Sequence, residues 1–350
     1  MSQLQTALDF LATRVAPRAA ELDQSSDAVA DVLGEMGAAN LLGLKCPAEY
    51  GGEPLSEPDF REFQQACART SGVFAFLQTQ HQSAVSMLNG SDNADLKADI
   101  LPGTRNGQRL VGIGFSQLRR PGPPMVTAER VDEGFVLDGH VPWVTGQGFY
   151  PQFLVGATTA SGEAAFALVP LRDQTGIRLS NPMRLAAMET ARTVTVDLNR
   201  FLVTWDKVAF VKPSGWIQRN DMINVALQGH FAIGNARAGL DVVQQVVENK
   251  GSDQLRESYD QLNQEWERCR ENLTVLSSDS AEETTDTRLE ARAWAIDVMQ
   301  RCAWAGVTAS AGAANVLTHP AQRILREALV FTVSAQTSAI RDASIRRLTR

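Results

Sequence analysis

From about residue 110 to 210 the apolar residues of this chain recur at every second position, whereas on either side they recur every third or fourth. In "TVTVDLNRFLV", Val194, Val196 and Leu198 alternate with Thr193, Thr195 and Asp197, the signature of a strand with one dry and one wet face. A two-residue period cannot be reconciled with a helix of 3.6 residues per turn, so the chain has to be a β unit between two helical regions. "PQFLVGATT" and "AAFALVPL" add short strands, and the spacing of strands and turns suggests a small barrel or sandwich. The Asp138-Gly139 pair between "FVL" and "HVPW" predicts a type I′ hairpin turn, because Asp-Gly readily supplies the positive φ angles such a turn needs.

Before this unit, Leu4, Leu8, Leu11 and Val15 fall at helical spacing. Val29, Leu33 and Met36 form a second stripe, and Phe60, Phe63 and Cys67 a third, with Ser56 as the N-cap of that helix. "CPAEYGGEP" (46–54) is a Pro/Gly loop. After Trp216 helices return. "MINVALQGHFAIGNARAGLDVVQQVV" (222–247) predicts one long helix, its Ala and Gly allowing close approach of neighbours. A charged helix containing "QLRESYDQLNQEWERCREN" follows. "SSDSAEETTDT" (277–287) is too polar and acidic to pack and predicts an exposed loop. Leu289, Ala293, Ile296 and Ala303 mark a further helix, and a last one runs from about Pro320 to the C-terminus.

The net charge of −7 over 350 residues disfavours nucleic acid or an anionic membrane as the main partner. Four widely separated cysteines, with no Cys-x-x-Cys, suggest a reduced, cytoplasmic setting. The N-terminus lacks the cationic start and apolar block of a signal peptide, and no run of eighteen apolar residues predicts a membrane span. No spacing of His, Cys, Asp and Glu suggests a metal site, and neither Gly-x-Ser-x-Gly nor a Walker string is present.

Five strings occur in a telling order: "VAP" (15–17), "CPAEYGG" (46–52), "VLDGHVPWVTG" (136–146), "GNARAGLD" (234–241) and "HPAQRILREA" (319–328). With them the chain resembles the acyl-CoA dehydrogenase superfamily over nearly its full length. That resemblance implies an α+β fold: an N-terminal helical domain (1–108), a central β-barrel domain (109–212) and a C-terminal four-helix bundle (213–350). It also implies FAD at the barrel–bundle junction, a homo-oligomer (dimer or tetramer), and a small-molecule substrate such as an acyl thioester or an apolar compound.

The resemblance assigns Trp143 and Thr145 to a strand lying against the flavin ring, where an aromatic face packs and a hydroxyl can hydrogen-bond. The plainer reading makes Trp143 a core aromatic at a strand end. "GIGFSQLRRPGPP" (112–124) occupies the place of the family's Thr-Glu-Pro-x-Ala-Gly-Ser-Asp loop, with Ser116 replacing the flavin-bonding Thr. That loop is shorter here and carries Arg119 and Arg120, which suit a phosphate, a carboxylate or plain solvation. For the diphosphate the resemblance implies Lys250, Gln261 and Gly312, although the family's Phe-Gly is replaced by Asp253 and Gln254. Thr337 is the remaining flavin contact.

Removal of an α-proton needs a carboxylate within reach. The family's usual position for it holds Ala335 and the alternative position holds Asn224; the following Val225 stands where relatives have a CoA-binding Arg. Ordinary α,β-dehydrogenation of an acyl-CoA is therefore not expected unless another residue takes over. His230 and His81 are the candidates for proton handling near pH 7, although the plainer reading makes each a hydrogen-bonded packing residue. His140 and His319 read as structural. Two classes of function remain. One is a flavin-dependent oxidoreductase, either with a relocated base or as a monooxygenase, which needs hydrogen-bond donors rather than a carboxylate. The other is a binding or assembly protein that has lost its cofactor.

Overall fold

A computed structural model describes residues 2–278 and 285–349; the Lys250 side chain is outside that description. The first helix, α1 (Gln3–Phe10), continues through a π turn (Leu11–Val15) and a 3-10 turn holding Pro17 into α2 (Ala19–Leu22). Next come α3 (Ser26–Ala38), α4 (Glu57–Thr70), α5 (Gly72–Asn89) and α6 (Ala94–Ile100). The predicted stripes are the buried ones: Val29, Leu33 and Met36 on α3, and Phe60, Phe63 and Cys67 on α4. Ser56 caps α4 as anticipated, its hydroxyl accepting from the Asp59 amide at 3.3 Å.

The strands are β1 (Val111–Gly114), β2 (Val126–Val131), β3 (Gly134–Val144), β4 (Gln152–Thr159), β5 (Ala164–Pro170), β6 (Ile177–Leu179), β7 (Val194–Thr204) and β8 (Val208–Lys212). They form one mixed sheet ordered β6-β7-β3-β2-β4-β5-β8, with β1 pairing parallel to β4. Its apolar faces bury two clusters. One runs continuously into the helices at both ends of the chain. The other joins α5 and α6, through Val85, Leu88 and Ile100, to Leu154, Phe166 and Leu168 of the sheet.

Asp138-Gly139 is not a turn. Both residues lie inside the eleven-residue strand β3, and the β2–β3 hairpin turns before Gly134 instead. The positive φ serves the strand instead: Gly139 has φ 133°, and a Cβ there would stand 2.1 Å from the Met125 carbonyl oxygen. The β3–β7 register shifts at this point and again between Val141 and Val144, as in a β-bulge. Pro142, which has no N–H to give a ladder, sits in the second irregularity.

The long helix predicted over 222–247 is broken. α7 (Trp216–Asn224) ends four residues before α8 (Gly229–Lys250) begins. α9 (Asp253–Ser278) and α10 (Thr285–Ser310) both reach into the segment read as the loop 277–287, whose remaining residues 279–284 lie outside the described ones. The last predicted helix is also two, α11 (Pro320–Val333) and α12 (Ser338–Leu348), separated by Ser334–Thr337 with Ala335 at φ 46°. The glycines of α8 do permit close approach. A Cβ on Gly234 would meet the Gln65 carbonyl oxygen of α4 at 2.1 Å, and one on Gly239 the Cys302 carbonyl oxygen of α10 at 2.5 Å.

Candidate functional site at the junction of sheet and bundle

The register shift after Val141 decides where Trp143 points. Phe135, Leu137 and Val141 share the buried face of β3; past the shift Val144 turns inward and Trp143 outward, leaving its side chain 46% exposed. The exposed indole offers a flat apolar face on which a ligand ring can pack. Thr145, by contrast, is buried, and its hydroxyl lies 3.0 Å from that of Thr193, just before β7. The loop ends Gly146 and Gln147 are tied down by the Ala191 and Arg192 carbonyls.

Ser116 opens a 3-10 turn (Ser116–Arg119) just after β1. Its Oγ is buried and has no hydrogen-bond partner, a condition that costs free energy unless a ligand or water completes it. The neighbouring Gln117 is fully engaged at its amide nitrogen, which donates to Gly114 and Gly156 carbonyls at 3.2 and 2.7 Å. At the end of the turn Arg119 makes a bidentate pair with Asp221 of α7, at 2.7 and 2.8 Å. Arg119 is thus neither a solvated loop charge nor an open phosphate donor. Arg120 lies exposed, its Nη1 3.4 Å from Met125 Sδ.

On the bundle side, Asn224 turns its amide nitrogen back to the Asn220 carbonyl oxygen at 2.9 Å. The next residue, Val225, is buried. Arg292 of α10, 3% exposed, donates to the Ser334 carbonyl oxygen at 2.5 Å and so fixes the segment that leads into Ala335 and Thr337. Burial holds this guanidinium below its ordinary range, at about 10. Thr337 caps α12, accepting from the Ile340 amide at 3.3 Å. Gln261 is exposed on α9, and Gly312 is exposed with open space around it. Lys250 ends α8, its side chain undescribed.

The two histidines are placed in the interior. His81 has both ring nitrogens occupied: Nδ1 accepts from the Val111 amide at 3.1 Å, and Nε2 lies 3.3 Å from the Thr104 carbonyl oxygen. His230 bridges Gln65 at 2.7 Å and Ser277 at 3.0 Å. Desolvation lowers both rings, His81 to about 4 and His230, with Arg61 nearby, to about 3. Each stays neutral at pH 7 with its hydrogen bonds made. His140 pairs with Asp197 at 2.6 Å, and His319 caps α11.

The carboxylate missed by inspection of the sequence is Asp221. It lies three residues before Asn224 and hence on the same face of α7, a spacing visible in the sequence. A cavity of about 340 Å³ opens elsewhere, where α2, α3, the β6–β7 connection and α11 meet, lined among others by Asp23, Ser26, Arg192 and Arg326. Another of about 140 Å³ lies between α10 and α12. Neither is lined by Ser116, Trp143 or Thr145. Among the described residues no group of three His, Cys, Asp or Glu could hold a metal, and no helix is long and apolar enough to cross a membrane.

Residues 2–108 match the family model "Acyl-CoA dehydrogenase, N-terminal domain". Bovine (Bos taurus) mitochondrial isovaleryl-CoA dehydrogenase is 26% identical over 148 residues, 40% of this chain and 34% of that protein. The match to the first relatives therefore spans about a third of their length. The isovaleryl-CoA dehydrogenase of Solanum tuberosum is 23% identical over 98% of this chain and 88% of its own length. Among solved structures, butyryl-CoA dehydrogenase from Megasphaera elsdenii shares the fold with a TM-score of 0.81 at 16% identity, covering 99% of this chain and 97% of that one. An acyl-CoA dehydrogenase from Bacillus anthracis, solved in complex with FAD, gives 0.81 at 19% identity, covering 99% and 66%. Residues 2–108 thus match the N-terminal domain of acyl-CoA dehydrogenases, and the whole chain shares the acyl-CoA dehydrogenase fold.

Proposed function

We propose that this chain is an FAD-dependent oxidoreductase whose flavin ring rests on the sheet edge formed by Ser116, Trp143 and Thr145. The observation that carries the proposal is the pairing of a buried, unpartnered Ser116 Oγ with an indole turned outward by a register shift. A flat, polar-edged heterocycle supplies what both lack: an acceptor for the hydroxyl and a face for the ring. Thr337 would approach from the bundle side, and its hydroxyl, which accepts from Ile340, remains able to donate. When bound, FAD would supply the electron acceptor.

Lys250, Gln261 and Gly312 are the residues that would meet the diphosphate half. Gln261 and Gly312 face outward in a single copy, so we assign them to the cofactor of a second copy in a homodimer or homotetramer. Trp304, Leu317 and Leu329 of the C-terminal helical region, 58%, 71% and 56% exposed, supply apolar surface such a contact would cover.

The substrate is a small molecule, and the reaction differs from ordinary acyl-CoA dehydrogenation. An alanine methyl and a hydrogen-bonded amide occupy the two base positions, and His81 and His230 are enclosed, so we assign those histidines to packing. That leaves dehydrogenation with Asp221 as the nearest carboxylate on α7, or monooxygenation, which relies on hydrogen-bond donors. A second reading, a binding protein without flavin, is favoured by one observation: the two base positions hold Ala335 and Asn224 and so carry no carboxylate.

Purification with added FAD followed by an absorbance spectrum tests the proposal. A resolved visible flavin band that survives gel filtration is the expected result, and Trp143→Ala should release flavin at least tenfold more readily. A protein that never retains flavin would leave the binding-protein reading in its place.

A further inference from the structure

The strand pair that carries Trp143 ends in two hydroxyls. Val144 of β3 stands opposite Val194 of β7, and both are buried in the core. The residues that flank this pair, Thr145 after β3 and Thr193 before β7, are buried too, and their hydroxyl oxygens lie 3.0 Å apart. Each hydroxyl has one proton to give and can also accept. Neither makes another hydrogen bond among the described residues. One proton therefore lies between the two oxygens, and the other needs an acceptor from outside the pair.

Which threonine keeps that second proton decides what the site can hold. If Thr145 donated to Thr193, the Thr193 proton would be buried with nothing to meet, which costs free energy. Thr145 would then offer a ligand only lone pairs. If Thr193 donates instead, its proton is used and Thr145 presents an O–H. A flavin ring carries mostly acceptors along its polar edge, so only the second arrangement leaves both hydroxyls satisfied when the ring is bound.

The backbone around Thr193 is built to hold this geometry. The Ala191 and Arg192 carbonyls accept from the Gly146 and Gln147 amides at 3.0 and 3.1 Å. The Arg192 guanidinium donates back to the Gln147 carbonyl oxygen at 2.9 Å and to its Oε1 at 2.6 Å. The 3-10 turn Glu189–Ala191 that leads here is bracketed by Met188 at φ 57° and Arg192 at φ 53°. Left-handed backbone at two such side chains is strained and persists only where the surroundings fix it. Segment 191–193 thus clamps 145–147 through main chain, side chain and hydroxyl together.

We propose that Thr193 is a positioning residue for the cofactor site: its hydroxyl donates to Thr145 and so fixes Thr145 as the hydrogen-bond donor toward the ring. This role rests on the flavin reading proposed for Trp143 and Thr145, and Thr193 acts through Thr145 alone.

The test uses the full chain purified with FAD as wild type, Thr193→Val, Thr193→Ser, Thr145→Val and the Thr145→Val, Thr193→Val double variant. Equilibrium dialysis reads FAD affinity, and absorbance reads the position of the visible flavin band. Valine keeps the shape of threonine and removes the hydroxyl. Thr193→Val should weaken FAD binding about fivefold, as loss of one neutral hydrogen bond does, and shift the band in the same direction as Thr145→Val. Thr193→Ser should restore both. In the Thr145→Val background, Thr193→Val should change neither, because the hydroxyl through which it acts is already gone. Affinity and band unaltered by Thr193→Val, or an equal loss in the Thr145→Val background, would overturn the proposal and leave the flavin reading standing. A wild-type chain that retains no FAD would overturn both. If circular dichroism shows that Thr193→Val does not fold, Thr193→Ala takes its place in the same comparisons.

Discussion

Replacing Gly234 with alanine tests whether α4 and α8 are in contact at the backbone, the contact on which the placement of the bundle against the N-terminal helices depends. A Cβ at this position would lie 2.1 Å from the Gln65 carbonyl oxygen and 2.9 Å from Ala68 Cβ. An ordinary carbon–oxygen contact is about 3.3 Å, so the helices must part locally by about 1 Å. Alanine brings a gain of about 1 kcal/mol in helix propensity. Overpacking a tight interior costs about 1–3 kcal/mol, and more where the obstacle is backbone that cannot rotate away. The movement also stretches the 2.7 Å bond between the Gln65 side chain and His230, worth about another 1 kcal/mol. Net destabilisation of about 2 kcal/mol follows. Gly34→Ala is the control: that glycine lies exposed on α3 with nothing within 4 Å of an added Cβ, and the same substitution there should stabilise by about 0.5–1 kcal/mol. Urea unfolding followed by circular dichroism reads both changes as opposite shifts in midpoint. If Gly234→Ala falls within about 0.5 kcal/mol of Gly34→Ala, the helices do not touch as described and the interface reasoning fails.

The remaining expectations are simpler to check. His81 and His230 stay neutral in the folded chain down to about pH 4 and 3, whereas unfolded histidine takes up its proton near 6.5. The unfolded state then binds more protons below pH 6.5, so stability is fully present above that value and falls by about 1.4 kcal/mol per pH unit per histidine as pH drops toward 4; His230→Gln should flatten the slope measured by urea titrations, and an unaltered slope would show that His230 is accessible and titrates normally. All four cysteines are buried, and desolvation raises their thiols, Cys269 and Cys302 to about 12. A maleimide should label none of them in the native chain and four after unfolding in urea; rapid native labelling would mean the bundle opens at that site.

What could be read from the chain directly follows a clear line. Where a residue's role depends on neighbours a few positions away, inspection succeeded: the Ser56 cap, the stripes of α3 and α4, and the alternation along β7. Where two local solutions satisfy the same residue, it failed. Asp138-Gly139 supplies the backbone freedom a hairpin needs, but β2 and β7 pair with β3 on both sides of it, so that freedom is used for a bulge. Likewise nothing in "NVALQGH" distinguishes a continuous helix from one broken at 225–228, because the residues tolerate both.

The sequence by itself determined which faces are dry and in what order helices and strands follow, since periodicity is a property of the chain. The tertiary structure decided what those faces meet. Trp143 points outward only because a ladder slips. Two histidines on apolar helices became enclosed packing residues. Arg119 found Asp221 across 102 positions of sequence. Hydrogen bonds and charge pairs between distant segments are chosen by the geometry of packing, and spacing along the chain carries no record of that choice.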